Sequence, residues 1–194
     1  MKKKIINRKI VILGESSVGK TSIVNRLIDN EFKIYNEPTI GASYSSIILE
    51  KDNYKLKLDI WDTAGQEKYR SLAPLYYRNT DYALIVFDLT KKESYFESIN
   101  WINEITEKSK NSKIILIGNK SDIKNKENIN PDISIENIKS YLEVSAKDNN
   151  NIQEILNVIN NLDEEDETSI NNTKTQTHNL AIDFNKDKPS CCFY

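Results

Sequence analysis

Residues 14–22, GESSVGKTS, place two glycines, a lysine and a threonine at a spacing that suits a bound phosphate. In the pattern Gly-x-x-x-x-Gly-Lys-Thr, backbone N–H groups surround an anion at the N-terminus of a helix. Lys20 is then placed to reach the β- and γ-phosphates of a nucleotide, and the Thr21 hydroxyl to bind Mg²⁺. An ordinary strand-to-helix turn needs one glycine, but not the other residues at fixed offsets. The stretch therefore predicts a phosphate loop formed by Ser16, Ser17, Val18, Gly19, Lys20, Thr21 and Ser22.

A second candidate site is WDTAGQE, residues 61–67, which follows the apolar-alternating run KLKLDI. Asp62 at a strand end is suited to hold Mg²⁺, and Gly65 has no Cβ, so its N–H can approach a γ-phosphate. Gln66 follows at the position where it could orient an attacking water. Asp-x-x-Gly alone is also typical of an acidic turn, and its place one strand pair after the phosphate loop makes it specific.

Two further polar segments predict which base is bound. NKSD, residues 119–122, ends the apolar run KIILIG, and SAK, residues 145–147, follows the next predicted strand. The Asp122 carboxylate can accept two N–H donors from one edge of a base, an edge that guanine offers and adenine does not. The Lys120 stem is suited to lie along the base, and the backbone N–H groups of residues 145–147 to face the guanine oxygen. These segments predict a guanine site formed by Asn119, Lys120, Asp122, Ser145, Ala146 and Lys147.

Short apolar runs alternate with helical periodicities from residue 9 to about 162, which predicts βαβ units. The hairpin signal KDN between SYSSIILE and YKLKLDIW predicts one antiparallel edge strand. We therefore expect an α/β fold of the P-loop NTPase type, with a six-stranded, mostly parallel sheet and helices on both faces. All the candidate motifs then lie at the carboxyl ends of strands, where ligands bind in such sheets. We expect a flexible segment over residues 1–8, one domain over 9–162 and a disordered tail over 163–194.

Composition excludes several other classes of function. The net charge of −2 gives no indication of nucleic-acid binding, and the single histidine, His178, makes a zinc cluster or a histidine-based dyad improbable. The two cysteines, Cys191 and Cys192, are adjacent, so they form no disulfide framework, and a reducing compartment is expected. No apolar run is long enough to span a bilayer, and we expect neither a signal peptide nor N-myristoylation.

The ordered motifs GESSVGKT, PTIG, WDTAGQE, NKSD and EVSAK resemble those of the Ras-like small GTPases. The resemblance covers residues 8–162. Within that family TIGASY, KLDIWDTAGQ, SLAPLYYR and IVFDLT are similar to Rab segments, most of all those of the early-endosomal subfamily. The resemblance implies a GTP-hydrolysing, Mg²⁺-dependent switch of vesicle traffic, cycling between the cytoplasm and endosomal or other vesicle membranes.

The resemblance also implies roles for further residues. Thr39 matches the first switch threonine, which contacts Mg²⁺ and the γ-phosphate, and Phe32 matches the aromatic residue that packs on guanine. Tyr44, Trp61 and Tyr76 match the aromatic triad that effectors contact, although Trp61 alone could equally be a core residue. The implied protein partners are a GTPase-activating protein, an exchange factor, a prenylation escort, a GDP-dissociation inhibitor and effectors.

The C-terminal CCFY resembles a double geranylgeranylation motif, which implies prenyl groups on Cys191 and Cys192 and membrane attachment through them. Two other functions remain open on the sequence alone. One is a nucleotide-binding interaction module with little hydrolysis, and the other is a P-loop kinase for a small molecule.

The chain departs from the family pattern at four places, one of which is YYRNT, residues 76–80, where the family has Gly-Ala after YYR. Ser16 and Ser17 occupy positions where Ras has glycine, and Tyr44 replaces the usual phenylalanine of the triad. The segment between Asp122 and Ser145 is short, and we expect it to hold a helix of two turns or less.

Overall fold

A computed structural model describes residues 3–123, 129–135 and 137–180. The chain divides into two compact units, Met1–Ile155 and Leu156–Tyr194. The first unit contains the sheet and all the candidate nucleotide-site residues. Among the described residues, no helix has the length and apolarity needed to cross a bilayer.

The first unit is built on a six-stranded sheet with the strand order β2-β3-β1-β4-β5-β6. Only β2 is antiparallel to its neighbour β3, and all other pairs are parallel. This confirms the predicted α/β sheet with one antiparallel edge strand. The strands are β1 (Lys4–Leu13), β2 (Ala42–Glu50), β3 (Tyr54–Thr63), β4 (Tyr82–Asp88), β5 (Lys113–Asn119) and β6 (Ile138–Glu143).

Among the described residues, four α-helices and one 3₁₀ helix connect or follow these strands. The α-helices are α1 (Lys20–Asp29), α2 (Ala73–Tyr77), α3 (Lys92–Lys108) and α4 (Ile152–Leu180), and the 3₁₀ helix is Glu67–Leu72. Helix α1 ends at Asp29, and the next residue, Asn30, stops it with a left-handed backbone (φ 56°), a conformation that asparagine tolerates well.

The central strands are continuous apolar runs because they are covered on both faces. β4, YALIVFD, is buried along its whole length, and six of the seven residues of β5, KIILIGN, are buried. Such runs are typical of parallel strands. Trp101, Ile102 and Ile105 of α3 join the same hydrophobic cluster. Phe96, which periodicity predicts in the core, is instead 54% exposed, because helical spacing alone does not fix where the apolar stripe ends.

Two predicted segment boundaries are corrected by the structure. β1 begins at Lys4, so much of the expected flexible N-terminus is strand. The reason is tertiary: Lys4 to Arg8 pair with β3, beginning with Lys4 opposite Tyr54. In the second unit, α4 continues to Leu180 within the tail for which the sequence predicts disorder over 163–194, and residues 181–194 lie outside the described residues. Low apolar content argues against a packed core, but a helix satisfies its own backbone hydrogen bonds without one.

The short helix expected between Asp122 and Ser145 is absent from residues 129–135, which are irregular. Asp132 accepts a hydrogen bond from the backbone N–H of Ser134 at 2.9 Å. This local turn competes with helix formation, as aspartate side chains commonly do.

Candidate functional site

Four of the candidate motifs meet at the carboxyl ends of β1, β3, β5 and β6, and Phe32 and Thr39 lie in the segment between α1 and β2. The phosphate loop joins β1 to α1, while Asp62 is the penultimate residue of β3. Asn119 is the last residue of β5, and Ser145 follows β6 by two residues. The sheet therefore brings together segments that are far apart in the sequence.

Lys20 is held inside the phosphate loop. Its side chain is buried, with the residue 6% exposed, and Nζ donates to the carbonyl oxygens of Gly14 at 2.9 Å and Glu15 at 2.7 Å. Burial lowers the pKa of Lys20 to about 8, and the charges of Asp62 and Glu15 oppose this shift. A phosphate at this position would stabilise the charged ammonium, so the lysine is suited to an anionic ligand.

Close packing around the loop requires glycine at two positions. A Cβ on Gly14 would lie 2.2 Å from the carbonyl oxygen of Val86, and one on Gly19 would lie 2.2 Å from Asn119 Nδ2. Both residues also have positive φ, 146° and 98°. Ser17, one of the departures from the Ras pattern, has a φ of 65° and accepts the left-handed conformation that glycine adopts more easily.

Thr21, Thr39 and Asp62 form a compact cluster of oxygen atoms beside Lys20. Thr21 Oγ1 donates to Asp62 Oδ2 at 2.7 Å and lies 3.1 Å from Thr39 Oγ1. Asp62 Oδ1 is buried and, among the described residues, has no hydrogen-bond partner. Burial raises the pKa of Asp62, against the hydrogen bond from Thr21 and the charge of Lys20. A buried carboxylate oxygen without a donor fits a hard cation such as Mg²⁺, which prefers oxygen ligands.

Gly65 and Gln66 line a cavity that is also lined by Lys20, Thr21 and Thr39 and has a volume of about 280 Å³. Residues from three loops share its lining: the phosphate loop, the segment around Thr39 and the segment that follows β3. They include Ser16, Ser17, Gly19, Lys20, Thr21, Ser22, Thr39, Gly65 and Gln66. Val18 is buried and absent from this lining, but its carbonyl oxygen accepts from Asn119 Nδ2 at 2.8 Å.

A second cavity of about 300 Å³ shares Ser17, Gly19 and Ser22 with the first. It is lined by all the residues assigned to the base except Ser145, namely Phe32, Asn119, Lys120, Asp122, Ala146 and Lys147. Two cavities that share part of the phosphate loop can hold the two ends of one nucleotide.

The Asp122 carboxylate is oriented by the segment that follows β6. Ser145 Oγ donates to Asp122 Oδ1 at 2.7 Å, and Lys147 Nζ lies 3.9 Å from Asp122 Oδ2. Asn119 also contacts this segment, because its Oδ1 accepts from the Ala146 N–H at 3.2 Å. These contacts hold the carboxylate in one orientation.

The structure corrects the expected role of two backbone N–H groups. We expected the N–H groups of residues 145–147 to face the base. Instead the Ser145 N–H donates to the carbonyl oxygen of Asn150 at 3.0 Å, and the Ala146 N–H donates to Asn119. No signal for either bond was present in the sequence. Asn150 pairs with Ser145 across a turn, and Asn119 reaches Ala146 from the neighbouring strand β5.

The three aromatic residues of the predicted triad are in contact. The ring centroids of Tyr44 and Trp61 are 5.4 Å apart, and those of Trp61 and Tyr76 are 5.8 Å apart. Tyr44 is 51% exposed, whereas Trp61 packs against the core cluster, so Trp61 is a core residue and its contact with effectors stays a prediction. The extra hydroxyl of Tyr44 donates to Asp59 Oδ1 at 2.5 Å.

Sequence reasoning missed Arg26 and Asp88. Arg26 in α1 donates to the carbonyl oxygens of Ala146 at 2.7 Å and Lys147 at 2.8 Å. These hydrogen bonds hold two residues that line the base cavity. Asp88 forms an ion pair with Lys120. Its place at the end of β4, the same sheet edge as the motifs, was the available signal.

Cys191 and Cys192, the predicted prenylation sites, lie outside the described residues.

Comparison with known proteins agrees with this arrangement. The model of the Ras family matches residues 9–164. The chain is also similar to the GTP-binding protein YPT53 of Saccharomyces cerevisiae, with 42% identity over 163 residues. The matched region covers 78% of this chain and 74% of the yeast protein.

Proposed function

Because this chain belongs to the Ras family, as a small GTPase of the Rab type, we propose that it acts as a GTP switch in early-endosomal vesicle traffic. It binds GTP and GDP, hydrolyses GTP and works in vesicle traffic, as the family does. The yeast relative is named as a GTP-binding protein. The compartment and the roles of individual residues are the proposed part.

One observation carries the proposed mechanism: Lys20, Thr39 and Gly65, from three separate loops, line a single cavity. A γ-phosphate in that cavity has Lys20 on one side and the backbone N–H groups of Thr39 and Gly65 within reach. Loss of the γ-phosphate removes the common partner of these segments. The two segments are then free to change conformation, which is the expected basis of the switch.

Hydrolysis follows from the charge distribution around the same cavity. The transition state spreads negative charge over the γ-phosphoryl oxygens, and Lys20 with the loop N–H groups counters part of it. Gln66 orients the attacking water. Thr21, Thr39 and Asp62 would hold Mg²⁺, which neutralises charge on the phosphates when bound. Residues 32–41 contain no arginine, so we expect slow hydrolysis until an activating protein supplies one.

Single-turnover hydrolysis tests this function. With Mg²⁺ present, wild type should convert bound GTP to GDP, and Gln66→Leu should be slower by roughly tenfold or more, because the water loses its orienting amide. The measurement is chromatographic separation of bound GTP and GDP over time, with ATP as the control nucleotide.

Chelation of Mg²⁺ should accelerate release of GDP, because the ion would no longer neutralise charge on the phosphates.

Gln153→Leu provides a matched control, since Gln153 is an exposed glutamine of α4 and its replacement should leave hydrolysis unchanged. Equal rates for wild type and Gln66→Leu would refute the role of Gln66. Failure of wild type to consume GTP at all would refute the proposed hydrolytic mechanism.

We extend the proposal to the partners and the membrane. Effectors would contact the surface formed by the exposed Tyr44 and the partly buried Trp61 and Tyr76, while an exchange factor and an activating protein would act on the segments around Thr39 and Gln66. A prenylation escort and a GDP-dissociation inhibitor would handle the lipidated form. Two prenyl groups, on Cys191 and Cys192, suit stable attachment, because a single chain binds membranes only marginally.

The lipid proposal has its own test. Mass spectrometry of the protein from eukaryotic cells should find two prenyl groups, and a Cys191→Ser, Cys192→Ser double variant should move from the membrane fraction to the soluble fraction. Ser190→Ala, a change in the neighbouring residue, should keep the membrane distribution. An unmodified C-terminus on membrane-bound protein would contradict the proposal.

A further inference from the structure

Asp88, the last residue of β4, places a buried carboxylate next to the candidate base cavity. The residue is 1% exposed. Its Oδ2 lies 2.6 Å from Lys120 Nζ, and its Oδ1 accepts from Thr90 N at 2.9 Å and Thr90 Oγ1 at 2.7 Å. Asp88 therefore links the loop after β4 to the lysine of the NKSD segment.

The chemistry of this contact is that of a charged pair. Burial alone would raise the pKa of Asp88, but the hydrogen bonds from Lys120 and Thr90 outweigh burial and lower the pKa below its ordinary value. Hydrogen bonds between ionised groups are about twice as strong as those between neutral groups. The Lys120 ammonium is accordingly directed at Asp88.

The other end of the Lys120 side chain is also fixed. Its backbone has a φ of 67°, a left-handed conformation that costs a residue other than glycine free energy and is retained where the surroundings impose it. The four-carbon stem thus runs between a constrained backbone and an anchored ammonium. Lys120 lines the same cavity as Phe32 and Asp122.

From this geometry we infer that Asp88 is a positioning residue for guanine-nucleotide binding. It fixes the Lys120 stem as one wall of the base cavity before the nucleotide arrives. A free lysine side chain has to lose rotamer entropy on binding, and a stem that is already ordered does not. The inference rests on the proposed assignment of Lys120 to the base.

Asp88→Asn is the sharpest test, because the amide oxygen can still accept from Thr90 while the charge that holds Lys120 is gone. Release of a fluorescent methylanthraniloyl-GDP should become roughly tenfold faster, the effect expected for one weakened charge-assisted hydrogen bond. Release at the wild-type rate would overturn the inference.

A double-variant cycle separates positioning from a purely structural role. Lys120→Met keeps a long apolar stem but removes the ammonium, so Asp88→Asn should have no further effect on GDP release in that background. If Asp88 instead stabilised only the loop after β4, Asp88→Asn would accelerate release equally in both backgrounds, and the inference would be wrong.

Folding and the proposed function are controlled separately. Circular dichroism checks that each variant is folded, and Asp88→Glu, which keeps the charge, should restore part of the slow release if Asp88→Asn folds poorly. An equally fast release from Asp88→Glu and Asp88→Asn, both folded, would overturn the role of the charge. If Lys120→Met itself released GDP at the wild-type rate, the assignment of Lys120 to the base would fail as well, which distinguishes the two failures.

Discussion

Asp122→Ala is expected to abolish the discrimination between guanine and adenine nucleotides. The Asp122 carboxylate lies at the base cavity with one oxygen held by Ser145 Oγ at 2.7 Å, and alanine leaves no acceptor for the two N–H donors of guanine. Sites built to hydrogen-bond a ligand reject an analogue that lacks the matching group by about 10⁴-fold. We therefore expect the ratio of GDP to ADP affinity to fall by roughly three to four orders of magnitude. Competition of GDP and ADP against a fluorescent GDP analogue measures this ratio.

Two variants control for this result. Ser145→Ala retains the carboxylate but removes its hydroxyl partner, so the loss of guanine preference should be intermediate. Asp52→Ala changes an exposed aspartate in the turn between β2 and β3 and should leave the preference intact. Retained discrimination against ADP in Asp122→Ala would show that guanine is recognised by other groups.

Gly65→Ala is expected to uncouple GTP binding from the switch. A Cβ on Gly65 would lie 2.3 Å from Lys20 Nζ and 2.6 Å from the carbonyl oxygen of Glu15. The lysine could move, but the backbone of the phosphate loop cannot, so the segment that follows β3 has to shift away. That shift withdraws the Gly65 N–H from the γ-phosphate and displaces Gln66. Removal of one such donor lowers a rate by about 10²- to 10³-fold, and we expect single-turnover GTP hydrolysis to fall by roughly 10²-fold, with GDP affinity nearly unchanged.

Ala64→Ser is the matched control, because it adds one heavy atom at the preceding position, where a Cβ is already accommodated. Its hydrolysis rate should stay within a few-fold of wild type. Crystal structures of Gly65→Ala with GDP and with a GTP analogue should be alike around Gly65, whereas those of wild type should differ there. Normal hydrolysis by Gly65→Ala would refute the close approach on which the switch mechanism depends.

The sequence determined the order of strands along the chain and the chemistry of the site. Gly19 and Lys20 have few alternatives at their spacing, because a loop of N–H groups around a phosphate needs these residues at fixed offsets. Short apolar runs likewise predict β4 and β5, and the hairpin signal KDN predicts the antiparallel edge strand, since each depends on local sequence patterns. The motif residues could be predicted because each motif is a short run of residues at fixed spacing.

Only the tertiary structure decided which side chains support those residues. Asp88 meets Lys120, and Arg26 reaches Ala146 and Lys147, because parallel strands and α1 converge at one sheet edge. Pairing with β3 also made the first residues a strand, which their own composition did not indicate. The physical reason is the distance along the sequence: a phosphate loop or an apolar strand is specified by neighbouring residues, whereas the ion pair between Asp88 at the end of β4 and Lys120 after β5 is specified by the packing of the whole sheet.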